Sequence, residues 1–125
     1  QSLVQASTSM DVLLSQNGPY ISVWAVLFAR ACLIHGDHES GLNVLTRIDE
    51  RIQSGELWMK SEYMRLLAKF KYLLILIDAE VYLHTLEASQ ALALGQDAQL
   101  FIGDILQDIT SLKSAMSSVN SDYAK

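Results

Sequence analysis

His35-Gly36-Asp37-His38-Glu39 sets two histidines and two acids within five residues, a group whose side chains could ligate a metal. Zinc needs three or four ligands converging on one point. Gly36 is a helix breaker inside the group, and the third histidine, His84, is far off in sequence. The group therefore reads as a polar helix end rich in caps. Cys32 stands three residues before His35, a spacing that would put a thiol and a base on one helix face. Nucleophilic use would also require an accessible pocket and an orienting third group. Cys32 lies within the apolar stretch "YISVWAVLFARACLI" and reads as core. The serines of "SLKSAMSSVNS" have no base near them, and no glycine-rich phosphate loop occurs. No catalytic residue, metal ligand or cofactor site is assigned, and the chain reads as a non-enzyme.

The elements that would position any site are helical. One Pro and six Gly in 125 residues leave little turn material for a many-stranded fold. Leu3, Ala6, Met10, Leu13 and Leu14 mark a first amphipathic helix, stopped by "QNGP". The apolar stretch from Tyr20 to Ile34 is a second, with Arg30 its only charge; a helix apolar nearly all round is normally sandwiched between neighbours. Gly36 then ends it and Asp37 caps a third, whose stripe is Gly41, Leu45, Ile48 and Ile52. After "SGE" at 54–56 comes a fourth, with Met59, Tyr63, Leu66, Leu67, Phe70 and Leu74 inward. Ala79, Tyr82, Leu83 and Leu86 mark a fifth, and Phe101, Ile105, Ile109, Leu112 and Met116 a sixth. Trp24 and Trp58 read as core or hairpin-junction residues.

Residues 73–77, "LLILI", carry no visible turn signal. An unbroken helix over 58–94 would be roughly 55 Å long, far longer than its partners, and a lone strand would have no mate. The spacing predicts a tight break near Ile75–Ile77, with Asp78 capping the next helix and the apolar turn buried against a neighbour.

Short connections make antiparallel hairpins. Gly41, Leu45 and Ile48 match Ala79, Leu83 and Leu86, small–large–large, at an offset of 38. A hairpin repeat near 34 residues with a longer loop gives that period. Ala29 and Ala68 supply the small residues of the helix crossings.

The stretch "GDHESGLNVLTRIDERIQSGELWMKSEYMRL" resembles the tetratricopeptide-like (TPR-like) region of large bacterial signalling and transcription regulators. Gly36, Gly41, Leu42, Leu45, Gly55, Glu56, Trp58, Glu62, Arg65 and Leu66 carry the likeness, and "DAEVYLHTLEAS" and "GPY" extend it to roughly residues 18–112. The chain departs from the pattern before Asp78, where a glycine is usual, and at Leu83, where an aromatic is usual. The resemblance implies a regulatory part of a protein that also carries ATPase, cyclase or DNA-binding modules.

The expected fold is all-α: a right-handed TPR-like stack of antiparallel hairpins, about six helices, in one domain over 1–118 with a frayed tail over 119–125. Lys60, Arg65, Lys69 and Lys71 place four of nine basic residues on the fourth helix. Such a run is usually a solvated face, here balanced by Glu62. In hairpin-repeat geometry, Arg30, Arg65, Lys69 and Tyr72 would instead line a concave groove that takes an acidic or extended peptide. The expected function is a protein-interaction and regulatory module; a small-molecule sensor with a lipophilic pocket and a structural scaffold segment are the alternatives. The expected partner is a protein or peptide, another domain of the same chain, or a second copy pairing through apolar end faces.

The net charge of −5 and pI near 5.0 argue against nucleic acid and anionic lipid as partners. No uninterrupted apolar run approaches the ~20 residues of a membrane span. One cysteine allows no internal disulfide and points to a reducing, cytoplasmic setting. The start at Gln1 reads as a chain cut from something longer.

Overall fold

The computed structural model describes residues 21–54, 59–96 and 99–124, with side chains over 21–52, 59–96 and 100–118. Among these, every regular element is a helix: α1 (Ile21–His35), α2 (His38–Arg47), α3 (Asp49–Ser54), α4 (Lys60–Leu73), α5 (Ala79–Gly95) and α6 (Gln99–Ala124). The segment 3–14 expected to be helical, and Gly55, Glu56 and Trp58, lie outside the described residues. α1 packs on α2, α2 on α4, α4 on α5 and α5 on α6, with lesser contacts of α4 with α1 and α6.

Two turns of one type organise this order. At the end of α1 the N–H of Gly36 bonds Leu33 O (3.2 Å) and the N–H of Asp37 bonds Cys32 O (2.9 Å). That paired closure needs a left-handed residue after the helix, and Gly36 has φ 77°. Asp37 then starts α2, its Oδ1 accepting from the Ser40 N–H at 3.2 Å. At the end of α4 the same pair recurs: Ile75 N–H to Tyr72 O (3.0 Å) and Leu76 N–H to Lys71 O (2.8 Å). The left-handed residue here is Ile75, with φ 60°. The break falls where the sequence predicts it, and Asp78 caps α5 by accepting from Val81 N–H at 2.9 Å.

The burial expected of this turn is not observed. Ile75 is 89% exposed and Leu76 61%, and Leu73 is exposed as well. The chain reverses at Ile75, so its side chain leaves the helix end with no described element beyond it. A β-branched residue held left-handed costs about 1–2 kcal/mol, and here no burial offsets it. Ile75→Gly should therefore raise stability by up to about 1 kcal/mol, after the extra backbone entropy that Gly loses on folding. The urea midpoint measures it; a lower midpoint would show that Ile75 makes contacts that matter.

The turns also fix the internal register. Gly36 and Ile75 are 39 residues apart, while the caps Asp37 and Asp78 are 41 apart. Counted from the turns, Ser22 corresponds to Ser61 and Ala29 to Ala68, all buried; counted from the caps, Leu45, Ile48 and Ile52 correspond to Leu86, Ser89 and Ala93, all fully buried. The offset of 38 read from the sequence is thus replaced by two offsets that differ by the two extra residues of the second loop. In consequence the inner face of α5 is Tyr82, Leu86, Ser89 and Ala93, with Ala79 and Leu83 only half-buried.

The third sequence segment is two helices. The N–H of Ile48 reaches back three residues to Leu45 O (3.3 Å), a tightened turn that separates α2 from α3. Ile48 and Ile52 are nonetheless fully buried, so the apolar stripe runs through the kink. Gly41 lies where α2 crosses α4, and the ring of the fully buried Phe70 occupies the space a Cβ would take. The helical backbone of α6 continues to Ala124, into the polar segment after residue 118.

Candidate functional site

Three helices bring six charges together. Arg65 of α4 gives Nε to Glu62 Oε1 (2.7 Å) and Nη2 to Glu62 Oε2 (3.0 Å), a bidentate pair on one helix. Its Nη1 reaches Asp108 Oδ2 of α6 at 2.7 Å. Lys69 Nζ, one turn on, holds Asp108 Oδ1 at 2.8 Å. Arg30 of α1 lies 3.6 Å from Glu62 Oε2 and 3.7 Å from Asp104 Oδ2. Asp104 is also 3.9 Å from Arg65 Nη2. Three cations thus meet three carboxylates.

The pair Glu62–Arg65 does not lie on a solvated helix surface, where such pairs contribute tenths of a kcal/mol. Glu62 is fully buried and Arg65 is 5% exposed. Burial alone would lower the Arg65 pKa, but the hydrogen bonds and charges of Glu62 and Asp108 raise it above its ordinary value. Tyr82, packed beside this cluster, has its hydroxyl pushed up by burial and then by the Asp108 charge. Its ring stacks on Tyr72 with centroids 4.7 Å apart.

Two open hollows flank the Lys69–Asp108 pair. One, about 210 Å³, is lined by Arg30, Leu33, Ile34, Lys69, Asp104 and Gln107, among others. The other, about 250 Å³, has Tyr72, Leu73, Tyr82, Ser111, Leu112 and Ala115 beside Lys69 and Asp108. Lys69, Gln107 and Asp108 border both hollows, and the second forms a groove between α4 and α6. Of the four residues singled out in the sequence, Arg30, Arg65 and Lys69 converge on the cluster, and Tyr72 lines the second hollow. All three cations carry acidic partners inside the molecule.

No family model, curated protein or solved structure matches this chain.

Sequence reasoning did not find Asp104 and Asp108. A signal was present: Asp104 and Asp108 are four apart along the Ile105–Ile109 stripe, and Arg65 and Lys69 are four apart on α4. Two such ladders of opposite sign match when their helices pack.

The other chemical candidates take ordinary structural places. His35 is exposed and Gly36 separates it from His38, whose ring lies against Phe70 at 6.0 Å. His84 is exposed on α5. Among the described residues no group of three or more His, Cys, Asp and Glu side chains is placed to hold a metal ion. Cys32 is fully buried, and burial followed by the Asp37 charge pushes its thiol up to about 11, which leaves it inert near neutral pH. Among the described residues no helix is long and apolar enough to cross a membrane. Trp24, expected in the core or at a hairpin junction, is 56% exposed on α1; the inner face of α1 is filled by Ala25, Ala29 and Cys32.

Proposed function

We propose that this chain is a protein-interaction module with TPR-like right-handed stacking, and that a partner segment lies in the α4–α6 groove. A regulatory role within a bacterial signalling or transcription regulator is the setting that the sequence resemblance suggests. The groove at Lys69, Tyr72, Leu73, Leu112 and Ala115 is the observation that carries this reading. Its polar edge is held by charge-assisted bonds, and Tyr72, Leu73, Leu112 and Ala115 supply its apolar part. Asp104 and Asp108 satisfy Arg30, Arg65 and Lys69. The segment is therefore held by apolar anchors and a few hydrogen bonds rather than by net negative charge, a modification of the acidic peptide expected from sequence.

The effector-sensing alternative has less support. The hollows described here are open, and the apolar residues Leu73, Ile75 and Leu76 are exposed rather than gathered around a cavity.

Selection of random peptides on the immobilised chain tests the reading. Enriched peptides should compete with one another and lose at least about tenfold in affinity when Ala115, exposed at the groove, is replaced by Arg; a steric and charged block of an anchor pocket is worth about 1.4 kcal/mol or more. The same change at Ala88, exposed on α5, should leave binding intact. No enrichment, or equal sensitivity to both variants, would remove the groove from consideration.

A further inference from the structure

α4 has a second open side. The α4–α6 groove lies along Lys69, Tyr72 and Leu73. Other α4 residues, Tyr63, Met64, Leu67, Ala68 and Lys71, border a separate hollow of about 220 Å³. Ile77, Val81 and Thr85 line it from the hairpin loop and α5, and Asp49 from the start of α3. Most of this lining is apolar. Met64, Leu67 and Ile77 are half-buried, Val81 is exposed and Ala68 is buried.

The hydroxyls around the hollow are already engaged. Tyr63 donates to Asp49 Oδ1 at 2.6 Å. Burial, and then that bond, hold the Tyr63 hydroxyl well above its ordinary pKa, so it stays a donor. Thr85 donates to Val81 O at 3.0 Å. Lys71 is different. Among the described residues its ammonium has no ion-pair partner, whereas Arg65 and Lys69 both hold Asp108. Tyr63 and Lys71 are eight residues apart, roughly 12 Å along the helix axis. Asp49 is bonded at the Tyr63 end, and Lys71 stands in the last turn of α4. The hollow thus presents an apolar lining with an unpaired cation toward one end.

Size and openness select the occupant. About 220 Å³ is smaller than the roughly 300–1,000 Å³ of pockets that enclose a whole small ligand. It holds one or two side chains, and it is open to solvent. A free small molecule there would stay partly in water, whereas a side chain on a protein surface brings its own cover. We infer that this hollow receives an apolar side chain of a partner protein, with a carboxylate on the next residue of that partner paired to Lys71. Charge complementarity decides the class: in the α4–α6 groove the cations are neutralised from within, and here one is not. The inference stands independently of any occupant of that groove.

Methyl NMR on the full chain, titrated with N-acetyl-leucyl-glutamate amide, tests it. Saturable shifts should appear at Leu67, Ile77 and Val81. The Kd should be at least about threefold tighter than for the glutamine analogue, the size of one exposed ion pair. Lys71→Met should abolish that preference while leaving the Kd of the glutamine analogue within about twofold and the urea midpoint unchanged. Absence of saturable shifts, equal Kd values for the two peptides, or a preference that survives Lys71→Met would each overturn the inference. Tighter binding of octanoate than of the dipeptide would overturn it in favour of a free amphipathic acid. Shifts at these three residues on raising the protein concentration alone would overturn it in favour of a second copy of the chain.

Discussion

Replacing Arg65 with alanine should lower the free energy of unfolding by about 3–5 kcal/mol, because it strands buried carboxylates. Glu62 is fully buried and takes two hydrogen bonds from this one guanidinium. Arg30, at 3.6 Å and beyond hydrogen-bond distance, remains as its nearest cation. Asp108 also loses a bond, though Lys69 still holds its other oxygen. A surface pair of the same spacing would lose less than about 1 kcal/mol, so the size of the effect separates the two placements. Lys in place of Arg65 keeps the charge but not the planar fork that serves Glu62 and Asp108 together, and should recover only part of the loss. Removing both members, Glu62→Met with Arg65→Leu, should be much milder than the sum of the single changes, since most of the single cost is the charge left behind. Urea denaturation of the wild type, Arg65→Ala, Arg65→Lys, the single variants Glu62→Met and Arg65→Leu, and their double measures all of this. A loss below about 1 kcal/mol for Arg65→Ala would mean that the cluster is solvated.

Gly41→Ala should also destabilise, by up to about 2 kcal/mol net, although alanine is the better helix former. A Cβ built at Gly41 would lie 2.6 Å from Phe70 Cε2 and 2.7 Å from Cε1, well inside van der Waals contact. Phe70 is fully buried, so its ring has no open space to retreat into. Overpacking of this kind costs about 1–3 kcal/mol. The helix propensity gain is about 1 kcal/mol and does not cover the upper part of that range. Combining Gly41→Ala with Phe70→Leu should give a total loss smaller than the sum of the two, because each change relieves the other. Strict additivity in thermal or urea unfolding would show that the methyl is accommodated elsewhere.

The helices and their caps were legible in the sequence because their signals are local. Asp37 and Asp78 sit immediately before periodic apolar runs, and both cap as a short acidic side chain at that position should. The stripe that runs through α2 and α3 and the stripe of α6 were legible for the same reason: one face of each is buried against neighbours. The α5 face was displaced because small–large–large patterns match at several offsets, and only the turn geometry selects among them. The apolar turn at Ile75 was placed but not its exposure, since exposure depends on what lies beyond the hairpin. The charge cluster was half visible. Glu62, Arg65 and Lys69 share one helix, but the acids that bury them come from 39 and 43 residues further along. Nothing in the α4 sequence distinguishes a charged face that meets water from one that meets Asp104 and Asp108.

The cluster has a kinetic consequence for any partner of the groove. Its three cations and three carboxylates cancel, so the net charge of −5 belongs entirely to the rest of the chain. An incoming molecule is guided by that outlying negative field while still a Debye length away. Once seated it rests on a patch with no net charge. Encounter frequency and residence time are thus governed by different atoms: the first by acidic side chains scattered over the surface, the second by the apolar walls beside Tyr72 and Leu112. For a partner seated as proposed, the rate of encounter and the time of residence could be altered separately.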